Sequence, residues 1–151
     1  MTISHLNAYL LVTKARVTLE KWMTAQLKSA ALTITQFRLL ELLAKHGGTS
    51  PVQCSMRLGI SSSAVTLVLD QLESRQLLTR ARVPSDRRSL RVQLTQEGTN
   101  VHAQARAALQ SSQMEAEERL PTTYFTSLNA LLECLELLPG DRLSVVHKRH
   151  R

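Results

Sequence analysis

Between residues 50 and 94 the spacing of apolar residues changes from a helical period to an alternating one, and few folds accommodate that change in so short a stretch. Ser50-Pro51 has the form of an N-cap followed by proline at the first helical position, where the missing N–H costs nothing. The spacing predicts a short helix over 51–58, ended by Gly59, with Ile60 turned inward and Ser61 capping a second helix over 62–75. Val65, Val68, Leu69 and Leu72 fall at i, i+3, i+4 and i+7, which puts them on one face of that second helix. Two short helices joined by a tight glycine-containing turn form a helix-turn-helix. Directly afterwards, 77–82 and 89–94 bracket the polar segment Pro84-Ser85-Asp86-Arg87-Arg88, and Leu90, Val92 and Leu94 alternate strictly with Arg91 and Gln93. A period of two marks a half-buried strand, so the segment is expected to be a β-hairpin with a basic tip.

The flanking segments read as helices. Residues 5–29 place Leu6, Tyr9, Leu10, Val17, Trp22, Met23 and Leu27 at roughly helical spacing, and 30–33 interrupt the pattern. Thr33 is positioned to cap a helix over 34–46, which Gly47-Gly48 ends. Thr95 is positioned to cap a long helix over 96–119. Pro121 opens a last helix over 121–137, whose apolar series runs from Phe125 to Leu138 before Pro139-Gly140. The His-, Lys- and Arg-rich tail, 141–151, is expected to fray. The first and last helices carry apolar stripes broader than a small domain needs to cover itself, which marks them as an interface between two copies. The expected fold is mainly α with a small β-hairpin, a winged helix-turn-helix in a single domain over 1–151.

Charge narrows the choice of partner. The formal net charge is +7, and its excess lies early: residues 1–95 hold 13 Lys and Arg against 5 Asp and Glu, whereas 96–151 hold 6 against 7. Such a balance suits a polyanion. No run approaches the 18 apolar residues that would span a bilayer, and the N-terminus lacks the pattern of a signal peptide, so a soluble cytoplasmic protein with no membrane role is expected. Arg80, Arg82, Arg87, Arg88 and Arg91 put five cations within twelve residues of the hairpin. A helix fits the major groove of DNA, while an adjacent hairpin tracks the backbone and reaches the minor groove. Asp86, two residues before Arg88, is placed to orient that guanidinium.

Enzyme chemistry finds no footing: the sequence offers no nucleophile–base arrangement, phosphate-cradling glycine loop or paired carboxylates, and no cofactor is expected. Cys54 and Cys134 read as small buried apolar residues, and His5, His46, His102, His147 and His150 lack the spacing of a metal site. Trp22 with Arg16 on the first helix would suit an aromatic carboxylate; the plainer reading seats Trp22 in the core or dimer seam and leaves Arg16 exposed.

Three ordered runs carry a more specific signal. Leu32-Thr33-Ile34-Thr35-Gln36-Phe37-Arg38-Leu39-Leu40 looks like the second-helix signature of the MarR (multiple antibiotic resistance regulator) family. Leu58-Gly59-Ile60-Ser61-Ser62-Ser63-Ala64-Val65-Thr66, continuing to Asp70-Gln71-Leu72-Glu73, resembles its recognition helix. Ser85-Asp86-Arg87-Arg88-Ser89, followed by Val92-Gln93-Leu94-Thr95 and Gly98, is similar to its wing. The resemblance covers roughly residues 5–138. It implies a homodimer whose N- and C-terminal helices, 5–29 and 96–138, interlock, and whose winged lobes, 33–95, bind a pseudo-palindromic operator in double-stranded DNA. Ser61, Ser62, Ser63 and Thr66 fall where the family contacts bases and phosphates; Arg88 corresponds to the wing-tip arginine that enters the minor groove, with Asp86 as its partner. The resemblance further implies a repressor released by a small ligand such as an aromatic acid. The chain departs from the family at Val83, where an acid is frequent, and at Leu67 and Gln71, where arginines are frequent. The expected consequence is weaker base readout, or readout through water and DNA shape. A winged helix used for contact with another protein is the alternative, and the five hairpin arginines argue against it.

Overall fold

Four side-chain caps set the helices in place. Thr33 Oγ1 accepts from the Gln36 amide at 3.2 Å while Gln36 Oε1 accepts from the Thr33 amide at 2.9 Å, a reciprocal capping box. Ser50, Ser61 and Thr95 each accept from the backbone N–H three residues on, at 3.2, 3.2 and 2.9 Å. The computed structural model describes residues 5–83 and 86–117 with Thr126 and Ala130, and of residues 5, 6, 8, 83, 86–89 and 113–117 it describes the backbone alone. The elements are α1 (His5–Leu27), α2 (Ile34–His46), α3 (Pro51–Leu58), α4 (Ser62–Ser74), β1 (Leu78–Val83), β2 (Asp86–Leu94) and α5 (Gln96–Glu117).

The end of α1 and the start of β2 differ from expectation. α1 stops at Leu27, and Lys28–Ala30 continue as a 3-10 turn that ends with Ala31 in the left-handed region, φ 50°. That conformation strains an alanine, and it is held by Arg75, whose guanidinium donates to the carbonyls of Ala31 at 2.7 Å and Ala30 at 3.2 Å. β2 begins at Asp86, three residues earlier than its apolar alternation indicates. Backbone pairing needs no apolar side chain, so strand character extends into the polar segment. The register then breaks: Arg82 pairs with Leu90 but Val83 with Asp86, so residues 87–89 form an extra loop of β2 against β1. Such bulges bend a strand and sharpen its twist.

The core joins α1, α2, α3, α4 and the hairpin around Leu27, Leu39, Leu40, Leu69, Leu72 and Val92, all 0–1% exposed. Thr49, just before α3, exchanges both backbone hydrogen bonds with Val92, at 3.0 and 2.8 Å, and so adds a short third rung beside β2. Gly98 lies where α5 meets the end of α4: a Cβ there would come within 1.8 Å of the Leu77 carbonyl oxygen. Glu41 of α2 takes His102 at 2.6 Å and Arg106 at 3.5 Å from α5, and the Phe37 ring stacks on His102.

The contacts divide the chain into two compact units, Met1–Gln113 and Met114–Arg151. Of the second, the described residues are the end of α5 and the exposed helical positions Thr126 and Ala130. The rest of the expected last helix with Cys134, the 141–151 tail with His147 and His150, and Pro84-Ser85 at the hairpin tip lie outside the described residues. Among the described residues, no single helix is long and apolar enough to cross a membrane.

Candidate nucleic-acid interface

α3 ends on Gly59, whose left-handed φ of 67° turns the chain sharply into α4. α4 buries Val65, Leu69 and Leu72. At about 100° per residue the opposite ridge carries Ser63, Leu67, Asp70 and Ser74, and all four are exposed. The first turn of α4 holds no acid, so its partial positive charge stays available to a phosphate. The Ser61 and Ser63 hydroxyls lie 3.0 Å apart, Ser62 is exposed, and Thr66 Oγ1 donates to the Ser62 carbonyl at 3.0 Å.

Arg80 ties the hairpin to this helix. Arg80 Nη2 donates to Asp70 Oδ1 at 2.5 Å, and its Nε lies 3.4 Å from Glu73 Oε2. Nε is buried and makes no hydrogen bond, so its partner there is the charge of Glu73 rather than a directed bond. Two carboxylates on or beside the exposed ridge are thereby answered by a cation from β1. Arg82 and Arg91 are exposed on the hairpin. Arg91 lies across Gly48, where a Cβ would come within 2.2 Å of its Nε. Asp86, Arg87 and Arg88 have their backbones in β2, and their side chains lie outside the described residues.

Sequence profiles and solved structures place this arrangement. The profile of the MarR family matches residues 32–90, from the cap of α2 to β2. The HTH-type transcriptional regulator MhqR of Bacillus subtilis is 31% identical over 98 residues, covering 65% of this chain and 68% of MhqR. The chain belongs to the MarR family. Its relatives in that family are DNA-binding transcriptional regulators, not enzymes, and so is this chain. The fold agrees: the transcriptional repressor CouR, solved on a 23-mer DNA duplex, superposes with a TM-score of 0.79 at 26% identity over 90% of this chain and 98% of CouR. A mutant MarR from E. coli in complex with operator DNA shares the fold at a TM-score of 0.76 and 24% identity, over 83% of this chain and 90% of that one.

Within this MarR-family chain the other sequence-named residues lie apart from one another. Arg16 pairs with Glu20 one turn on, at 2.8 Å, on the exposed side of α1. Trp22 is half-buried and donates from Nε1 to Ser112 Oγ of α5 at 3.1 Å. The structure therefore does not bring Arg16 and Trp22 together. An open depression of about 290 Å³ lies instead against Glu41, Ala44, Lys45 and Arg106. Gln71 accepts from Gln36 Nε2 at 3.0 Å, which turns it toward α2. Cys54 is fully buried, and burial pushes its thiol above the ordinary value despite the opposing charge of Arg57. Sequence reading missed the acid partners of Arg80; the signal was two carboxylates three residues apart, Asp70 and Glu73, on the helix just before the arginine-rich hairpin.

Proposed function

We propose that this chain is a homodimeric repressor that binds a pseudo-palindromic operator, presenting α4 to the major groove and the hairpin to the minor groove of each half-site. One observation carries the reading: an exposed helix ridge and an arginine-rich hairpin are locked side by side through Arg80 and Asp70. Ser61, Ser62, Ser63 and Thr66 meet bases and phosphates, and Arg82, Arg87, Arg88 and Arg91 supply the cations, with Asp86 orienting Arg88. Arg80 belongs to the same site and acts through the helix it holds. Dimerisation is supported by α1, which exposes Tyr9, Leu10, Leu11 and Leu19 at 53–67%; a second copy is the natural cover for them. Repression is supported by CouR, a repressor of the same fold. A small aromatic acid binding near Trp22 is proposed as the effector, and the cytoplasm as the site of action.

The test is DNA binding across a salt series, with the DNA flanking the protein's own coding sequence and a scrambled control. The native protein is expected to bind selectively and with steep salt dependence. Arg88→Ala is expected to weaken binding and to lower the salt slope by about one for each arm. Absence of selective binding even at low salt overturns the reading. Addition of benzoate or salicylate tests the effector through Trp22 fluorescence and operator release; no change in either removes it.

A further inference from the structure

The recognition ridge of α4 has an unusual composition. The helix Ser62–Ser74 contains neither Lys nor Arg, so the common bidentate reading of guanine is unavailable to it. Its polar ridge groups are engaged within the protein: Ser63 with Ser61, Asp70 with Arg80, and Ser74 Oγ donating to the Gln71 carbonyl at 2.8 Å. Thr66 nearby donates to Ser62. The remaining side chain on the ridge is Leu67, 59% exposed, whereas Leu69 and Leu72 of the same helix are at 1% and 0%. An exposed leucine is ordinary by itself. At the centre of the ridge that the proposed function turns to the major groove, between Ser63 and Asp70, it is the apolar group available to a base edge. One base presents an apolar group in the major groove, and that is thymine, through its 5-methyl.

We infer that Leu67 is a specificity-determining residue that packs against a thymine methyl in the major groove of each half-site. The inference rests on the DNA-reading function proposed above and names what this helix reads. The arrangement divides the work: the hairpin arginines supply charge to the backbone and the minor groove, and the isobutyl group of Leu67 selects an A·T pair in the major groove by shape and apolarity. A single buried methyl is worth about a fourfold change in affinity at each contact.

The test begins with selection of preferred duplexes from a random-sequence pool by the full-length protein. Each thymine of the selected site is then replaced in turn by deoxyuridine, which lacks only the 5-methyl, and binding is measured for the native chain and for Leu67→Ala. The expected result is one thymine per half-site at which the loss of the methyl costs the native protein about fourfold and costs Leu67→Ala nothing. Leu67 is exposed, so the variant is expected to melt with the native protein, and its unchanged salt slope shows that phosphate contacts are intact. A preferred sequence in which no thymine methyl effect depends on residue 67 overturns this inference alone. A pool that yields no preferred sequence overturns the DNA-reading function, and the inference with it.

Discussion

Asp70 and Arg80 are ten positions apart in sequence and meet at 2.5 Å, joining the exposed ridge of α4 to the first strand of the hairpin. Without Arg80, two carboxylates would face a polyanion unanswered, and the hairpin would lose a polar tie to the helix. Arg80→Met is therefore expected to cost about 1 kcal/mol of stability, Asp70 being largely solvent-exposed, and to weaken DNA binding roughly fivefold. Adding Asp70→Asn to that variant is expected to restore part of the affinity. A double-mutant cycle in binding and in urea denaturation checks this, and additive effects would refute the coupling.

Gly98→Ala drives a methyl into the Leu77 carbonyl, a backbone atom that cannot swing aside. The first turn of α5 must shift, and with it the Thr95 cap, whose Oγ1 also donates to the Gln76 carbonyl at 2.7 Å. The expected loss is about 1–3 kcal/mol in chemical denaturation.

Cys54 titrates above its ordinary value of 9.0 because burial disfavours the thiolate. The folded chain thus holds that proton more tightly than the unfolded chain. The stability it contributes is complete below the unfolded value and is lost as pH rises through the folded one. Cys54 in a Cys134→Ser background is expected to resist iodoacetamide at neutral pH, and Cys54→Ala to lose less stability than the native chain between neutral pH and pH above 9.0. Rapid alkylation of Cys54 in that folded variant at pH 7 would contradict this.

The apolar surface of α1 predicts the assembly state. Leu11→Asp combined with Leu19→Asp places charges on two of its most exposed leucines. The double variant is expected to sediment as a monomer where the native chain sediments as a dimer, and to lose DNA affinity because half-sites can no longer be bound together.

What the sequence disclosed follows the range of each interaction. The caps at Thr33, Ser50, Ser61 and Thr95 act over three residues, so residue type and spacing reveal them, and all four cap as expected. The helix-turn-helix and the hairpin follow from local periodicity in the same way. The ties that join one helix to another act over longer separations. Arg75 reaches Ala31 across 44 positions, Gln36 meets Gln71 across 35, and His102 meets Glu41 across 61. No one-dimensional pattern encodes such meetings, because each depends on how completed helices cross. The early start of β2 at Asp86 escaped for a different reason: its pairing is made by backbone atoms and leaves no trace in side-chain polarity.

The Thr49–Val92 rung gives β2 a neighbour on each side, β1 on one and the segment leading into α3 on the other. A hairpin rooted along one edge alone can hinge; a bridge on the second edge, at Val92, opposes that hinge. Hairpin root, α3 and α4 share one buried core and so form one packed unit, the proposed reading head. A regulatory signal reaching it has little freedom to reshape the head itself. In a dimer, the quantity left to adjust is the gap between two such heads relative to the fixed pitch of the DNA.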